Sequence, residues 1–130
     1  MKVNQLNHTA LHVADVPTSI EFYKTVLCLE QLPRPAFQFP GAWFSLGPDQ
    51  ELHLIGGRTL DVVSESRGTH FAMHVEDIVA AEKHLQTLGI DYDGPKDRPD
   101  GAIQIFIHDP DGHTLELTTV ENARAEDRSL

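Results

Sequence analysis

Cysteine is almost absent from these 130 residues. With Cys28 alone, no disulfide can close within the chain and no thiolate cluster can hold a metal, so any metal ligands must be His, Asp or Glu. Basic residues are also scarce. Ten Lys and Arg against twenty Asp and Glu leave a formal net charge of −10, and no stretch gathers the cations into a patch. Such a chain repels a phosphate backbone, which argues against nucleic acid as a partner. Long apolar runs are missing too: nothing approaches the roughly 20 residues of a membrane-spanning helix. The opening MKVNQLNHTALHV lacks the continuous apolar segment of a secretory leader. The expectation is a cytoplasmic protein with no membrane partner. A length of 130 residues suits one domain, so a duplication inside it would share one core.

What the chain does contain is a repeat. His8-Thr-Ala-Leu-His12-Val-Ala-Asp15-Val returns 62 residues later as His70-Phe-Ala-Met-His74-Val-Glu-Asp77-Ile. Behind each copy, apolar residues recur at three or four: Ile20, Tyr23 and Leu27 in the first, Ile78, Ala81, Leu85 and Leu88 in the second. That spacing predicts helices over Pro17 to Leu27 and Ile78 to Leu88. Asp15 and Asp77 suit their N-caps, Pro17 the first turn and Gly89 the second helix's stop. β-like runs follow over Ala42 to Leu46, Glu51 to Ile55, Ala102 to His108 and Thr114 to Val120, with Gly-Pro-Asp-Gln and Asp-Pro-Asp-Gly turns between them. Arg34 to Gly41 and Gly94 to Gly101 read as loops or irregular edges, Gly56 to Thr69 as the link between halves, and the chain from Glu121 as a polar tail. One domain over 1–130 is expected, with repeats at about 5–57 and 68–120.

Strand alternation puts His8, Ala10 and His12 on one face and His70, Ala72 and His74 on another. The opposite faces, with Leu11 and Val13 or Phe71, Met73 and Val75, should receive the helices. Aligning the two turns sets His53 opposite Glu116, with one residue inserted. If a two-fold axis relates the units, His8, His53, His70 and Glu116 form a ring of three imidazoles and a carboxylate. This set suits one divalent ion, zinc, nickel, cobalt, iron or manganese, and leaves positions for water or substrate. A lone strand histidine is more often structural, but matched ones at both strand starts are hard to obtain from packing. Glu51 shares the face of His53 and competes with it. His12 and His74 lie four residues, or two pleats, beyond His8 and His70 and read as substrate-facing or supporting groups, or equally as polar filling. His84 reads as solvated on its helix, and His108 and His113 as turn caps.

These residues resemble the vicinal oxygen chelate superfamily, which includes glyoxalase I, methylmalonyl-CoA epimerase, fosfomycin-resistance transferases, extradiol dioxygenases and bleomycin-resistance proteins. The resemblance covers about residues 5 to 120. It is carried by Leu6-Asn-His8, Asp15-Val-Pro-Thr-Ser-Ile-Glu-Phe-Tyr-Lys-Thr-Val-Leu27, Gly41-Ala-Trp43, His53-Leu-Ile and His108-Asp-Pro-Asp-Gly-His-Thr-Leu-Glu116. It implies an α+β fold of tandem βαβββ repeats forming a curved mixed sheet around a metal cavity. It also implies a homodimer, and His8, His53, His70 and Glu116 as first to fourth ligands. The implied chemistry is that of a glyoxalase I-like lyase or isomerase on a small-molecule substrate with vicinal oxygens, in which the ion acts as a Lewis acid and Glu116 moves a proton.

The chain departs from glyoxalase I, which has glutamate at the position of His53. Ala10 and Phe106 stand where the fosfomycin transferases have Thr and Tyr, which disfavours that activity although Lys96 sits near a matching basic position. An iron(II) extradiol-type dioxygenase would use His8, His70 and Glu116 and leave His53 as an extra ligand. A non-enzymatic binding or resistance protein would need no metal. Arg34, Phe37, Phe39, Trp43, Lys96, Arg98 and Phe106 are candidates for the substrate-binding rim, with Trp43 and Phe106 alternatively in the core.

Overall fold

The computed structural model describes residues 1–120, and the expected polar tail from Glu121 lies outside them. Two compact units are present, one spanning Met1–Val62 and the other starting at Val63, so the boundary falls inside the expected Gly56 to Thr69 link.

The first unit runs β1 (His8–His12), α1 (Val16–Thr25), β2 (Gln31–Leu32), β3 (Gly41–Ser45) and β4 (Glu51–Ile55). The second runs β5 (Phe71–His74), α2 (Ile78–Leu88), β6 (Asp93–Asp97), β7 (Ile103–His108) and β8 (Thr114–Thr118). Each is therefore a βαβββ unit with its own four-stranded mixed sheet, in the orders β1-β4-β3-β2 and β5-β8-β7-β6. The first strand pairs parallel with the last, a pairing that a hairpin cannot make and that the intervening helix permits.

Both helices begin as the capping residues require. The Asp15 carboxylate accepts from Thr18 N at 3.3 Å, and Asp77 Oδ1 accepts from Val79 N and Ala80 N at 3.0 Å each. Gly89 ends α2 in the left-handed conformation at φ 68°, where a side chain would be strained. The first helix stops at Thr25, short of the expected Leu27.

In the first unit, α1 packs against β3 and β4 and buries Ser19 and Tyr23. Ala42, Phe44, Leu52 and Leu54 fill the same side of the sheet, each contributing in proportion to the apolar surface it removes from water, about 1.5–3 kcal/mol for the larger ones. In the second unit Leu85 of α2 is buried, as are Ile105, Ile107, Leu115 and Leu117 on alternate positions of β7 and β8. Alternation then turns the remaining strand residues to the other face of each sheet, and these carry the chemistry.

Gly41 is fixed by close approach. A Cβ there would stand 2.3 Å from Leu54 O and 2.9 Å from Arg34 Nη2, so only glycine lets β3 lie against β4 with Arg34 folded over it.

A pair of candidate metal half-sites

The two sheets repeat not only their topology but their register. Ala10 of β1 pairs with His53 of β4, and Ala72 of β5 pairs with Glu116 of β8. His8 lies two residues before Ala10, and His70 two residues before Ala72. On the neighbouring strands, Trp43 faces His53 and Phe106 faces Glu116. Each open face thus presents a histidine at or just before the start of the first strand, a potential ligand from the last strand, and an aromatic ring from the strand beyond.

In the first unit the three groups form a ring stack. The Trp43 ring lies 4.0 Å from that of His53 at an interplanar angle of 4°, and His8 lies 4.1 Å away on the other side at 19°. His53 Nε2 meets Glu51 Oε1 at 2.8 Å, and His8 Nδ1 meets Asn7 Oδ1 at 2.8 Å. The aromatic surface continues through Phe37, 6.1 Å from Trp43, to Phe39, 5.1 Å from Phe37. Arg34 places its guanidinium carbon 4.9 Å from both phenyl rings and donates to Phe39 O at 2.9 Å. A cation over aromatic faces is attracted by their quadrupoles, which holds this loop together beside the stack. Phe37 and Phe39 remain 45% and 44% exposed, an unusual surface for two adjacent rings.

The second half-site is a hydrogen-bonded carboxylate. Glu116 is only 4% exposed, and both of its oxygens are held: His70 Nε2 lies 3.0 Å from Oε1, and Gln104 Nε2 donates to Oε2 at 3.0 Å. A buried carboxylate needs such partners, because desolvation without them would cost several kcal/mol. Phe106 approaches His70 edge-on at 5.6 Å.

The other expected residues fall into place unequally. His12 Nε2 lies 3.1 Å from Gly56 O, so that ring ties the end of β1 to the chain leaving β4. His74 ends β5 and is exposed. Lys96 sits on the exposed edge strand β6 and pairs with Asp93 at 2.7 Å. Arg98 pairs with Asp100 and donates to it through both Nε and Nη2, and this contact holds the Asp100 carboxyl below its ordinary range. Phe106 is buried yet lies beside His70, so it serves core and site together. The Asp-Pro-Asp-Gly turn is closed by Asp109 Oδ1, which accepts from Asp111 N at 3.0 Å and His113 N at 2.8 Å; the cap is thus the aspartate side chain.

Two contributors escaped the sequence reading as site residues. Gln104 shares a face with Phe106, two residues along β7, and strand alternation could have placed it there. Asn7, just before the first strand, braces His8.

Among the described residues, no three or more of His, Cys, Asp and Glu gather into one metal-holding group, and the potential ligands come in pairs within each unit. As chemistry the donors fit: imidazole nitrogens and a buried carboxylate match borderline divalent ions.

Two four-stranded mixed sheets, each with one helix and a matched pair of potential ligands on its open face, define an α+β protein of the vicinal oxygen chelate type. The chain belongs to the Glyoxalase/Bleomycin resistance protein/Dioxygenase superfamily, whose profile matches residues 5–117.

Its relatives include lactoylglutathione lyase of Escherichia coli O157:H7, 30% identical with 92% of this chain and 95% of that protein covered. Glyoxylase I 4 of Arabidopsis thaliana is 28% identical, covering 94% of this chain and 74% of that one. The metallothiol transferase FosB of Bacillus licheniformis is 27% identical, covering 91% and 77%. Among solved structures, lactoylglutathione lyase from Agrobacterium tumefaciens superposes with a TM-score of 0.74 at 21% identity, covering 93% of this chain and 97% of that one, a likeness of fold. Among the described residues, no helix is long and apolar enough to cross a membrane.

Proposed function

We propose that this chain is a metal-dependent lyase or isomerase of glyoxalase type, acting on a small substrate whose adjacent carbons both carry oxygen. The observation that carries the reading is Glu116: a nearly buried carboxylate, held at both oxygens, at the strand position matching His53. In this reading His8, His53, His70 and Glu116 hold one divalent ion of zinc, nickel, cobalt, iron or manganese. A homodimer is part of this reading. The ion would supply Lewis acidity, lowering the pKa of a C–H beside a carbonyl and stabilising the charge left behind.

The chain's own groups do the rest. Glu116 takes that proton and returns it to the neighbouring carbon while the hydroxyl proton passes to the neighbouring oxygen, so carbonyl and hydroxyl exchange places and no atom is gained or lost. His70 and Gln104 fix the direction in which the carboxylate points. Trp43, Phe37 and Phe39 offer an apolar wall that keeps water from the exposed proton, with Arg34 available to an anionic substituent. The relatives named lactoylglutathione lyase support this class, and the enzyme is expected in the cytoplasm.

Elemental analysis of gently purified protein beside a Glu116→Ala variant tests the reading. About one transition metal per site is expected in the wild type and loss of it in the variant. The nickel- or zinc-loaded protein should turn over the methylglyoxal–glutathione adduct. Oxygen uptake with a catechol would point to the dioxygenase reading instead. Absence of metal, with no binding on its addition, would leave a ligand-binding module.

A further inference from the structure

We propose that the segment from Arg34 to Trp43 is a subsite for an aromatic carboxylate, whose anion meets Arg34 and whose ring lies along Phe37, Phe39 and Trp43. The subsite lies wholly within the first unit. Its use in catalysis rests on the metal reading above, which it deepens by naming the class of substrate.

Arg34 is the only Lys or Arg between Lys24 and Arg58 in a chain of net charge −10, yet it pairs with no carboxylate among the described residues. Arg98, in the matching segment of the second unit, has Asp100. A guanidinium carries five N–H donors. Among the described residues one acceptor meets them, Phe39 O at 2.9 Å from Nη2. Nε is buried without a partner there, while Nη1 is neither bonded nor buried and faces solvent. An arginine left in water would satisfy all five, so this placement gives up hydrogen bonding that its own contacts do not return.

The fold holds it there all the same. Pro33 and Pro35 flank Arg34, fixing φ on both sides and pressing Arg34 itself into extended backbone. The guanidinium then lies over β3, so close that a Cβ at Gly41 would stand 2.9 Å from Nη2 and 3.0 Å from Nε. Phe37 and Phe39 each lie 4.9 Å from the guanidinium carbon. A guanidinium fixed in advance loses little freedom on binding, and its planar fork matches a carboxylate with parallel hydrogen bonds. A single cation on so acidic a chain suits the one charge of a carboxylate better than the two of a phosphate.

The rings define the rest of the ligand. Phe37 and Phe39 stack at 5.1 Å and 26°, and both stay exposed. Phe37 reaches Trp43 at 6.1 Å, and Trp43 continues onto His53. These π faces favour an aromatic body over an aliphatic one, because offset and edge contacts between rings add to the apolar area they bury. The two ends of the line differ, with a cation at one and imidazoles at the other. A substrate lying along it has its carboxylate at Arg34 and its adjacent oxygens beyond Trp43, toward His53 and His8.

The full-length chain, stripped of metal with EDTA, is titrated with benzoate, its neutral isostere benzamide, ring-free acetate and phenyl phosphate. The Arg34 Nε–H and the Trp43 indole N–H are followed by NMR. Benzoate should shift both signals saturably and bind about tenfold or more tighter than benzamide or acetate, the scale of a hydrogen bond to a charged group. Non-specific partition onto so acidic a chain would favour benzamide instead. Arg34→Gln should bring benzoate down to the level of benzamide, and Arg34→Lys should keep part of the difference. The wild-type comparison decides by itself if either variant fails to fold. Benzamide or acetate binding as tightly as benzoate, phenyl phosphate binding more tightly, or a folded Arg34→Gln with unchanged benzoate affinity would each overturn the proposal and leave the metal reading standing. Selective benzoate binding by a chain that takes up no metal would support the subsite and sink the metal reading.

Discussion

The two open faces share a register but hold their polar groups by different means. In the first unit the last-strand residue, His53, is fixed by flat aromatic contact with Trp43 and His8, and hydrogen bonding comes second. In the second, Glu116 is fixed almost wholly by hydrogen bonds from His70 and Gln104, while Phe106 touches the histidine only by its edge. The difference follows from residue type. A neutral imidazole tolerates an apolar sandwich, whereas a buried carboxylate must have donors at both oxygens. One backbone plan thus yields a half-site built on packing and another built on polar satisfaction, and different substitutions should break them.

The largest effect is expected beneath the faces. Phe44 is fully buried between β3 and α1, its ring 6.0 Å from Tyr23. Phe44→Ala should cost about 3–5 kcal/mol in chemical denaturation, through lost transfer energy and the cavity left behind. The tilt of Trp43 and His53 depends on β3, so the intrinsic fluorescence of Trp43, the only tryptophan, should change as well. A loss under about 1 kcal/mol would mean that this sheet can collapse around the gap.

Next comes the polar half-site. Glu116→Ala in metal-free protein removes the acceptor for Gln104 Nε2 and the partner of His70. The expected cost is about 1–3 kcal/mol, the desolvation penalty of the groups left unpaired. Glu116→Gln should recover part of it, because its amide oxygen still accepts from Gln104. If Ala and Gln variants were equally stable, polar satisfaction would not be what holds this face, and the contrast with the first unit would fail.

Much of this was legible in the sequence, and the gaps have physical reasons. The bounds of α2 were readable because both ends carry local signals, the Asp77 carboxylate and the left-handed Gly89. The α1 end was not, since Val26 and Leu27 continue the apolar rhythm after the helix has stopped. Strand β6 was legible only as a loop or an irregular edge, because Gly94-Pro95-Lys96 breaks the strand pattern; an edge strand tolerates proline, and the ladder there shifts register between Asp93 and Lys96. At the site, alternation along a strand assigned faces to His8, His70, His53 and Glu116. It could not reveal that Trp43 would lie flat on His53, because that contact depends on the pairing of β3 with β4.

The smallest expected effect concerns the arginines of the two matching Arg-Pro segments. Arg34 is held by aromatic faces and a backbone carbonyl, and its buried Nε has no hydrogen-bond partner among the described residues. Arg98 instead bonds a carboxylate and holds the Asp100 carboxyl below its ordinary range, chiefly through the side-chain hydrogen bond. A carboxyl whose folded pKa is lowered stabilises the fold above its unfolded pKa, and the contribution fades as pH falls through the folded value. Asp100 should therefore titrate by NMR with a midpoint below an ordinary aspartate, and Arg98→Ala should move that midpoint upward. The same variant should lose stability at neutral pH and converge with the wild type in acid. Arg34→Ala should leave the Asp100 midpoint where it was, because its partners carry no carboxyl. If the Asp100 midpoint did not respond to Arg98→Ala, the two arginine loops would be alike in resting on packing, and the polar character of the second unit would be confined to Glu116.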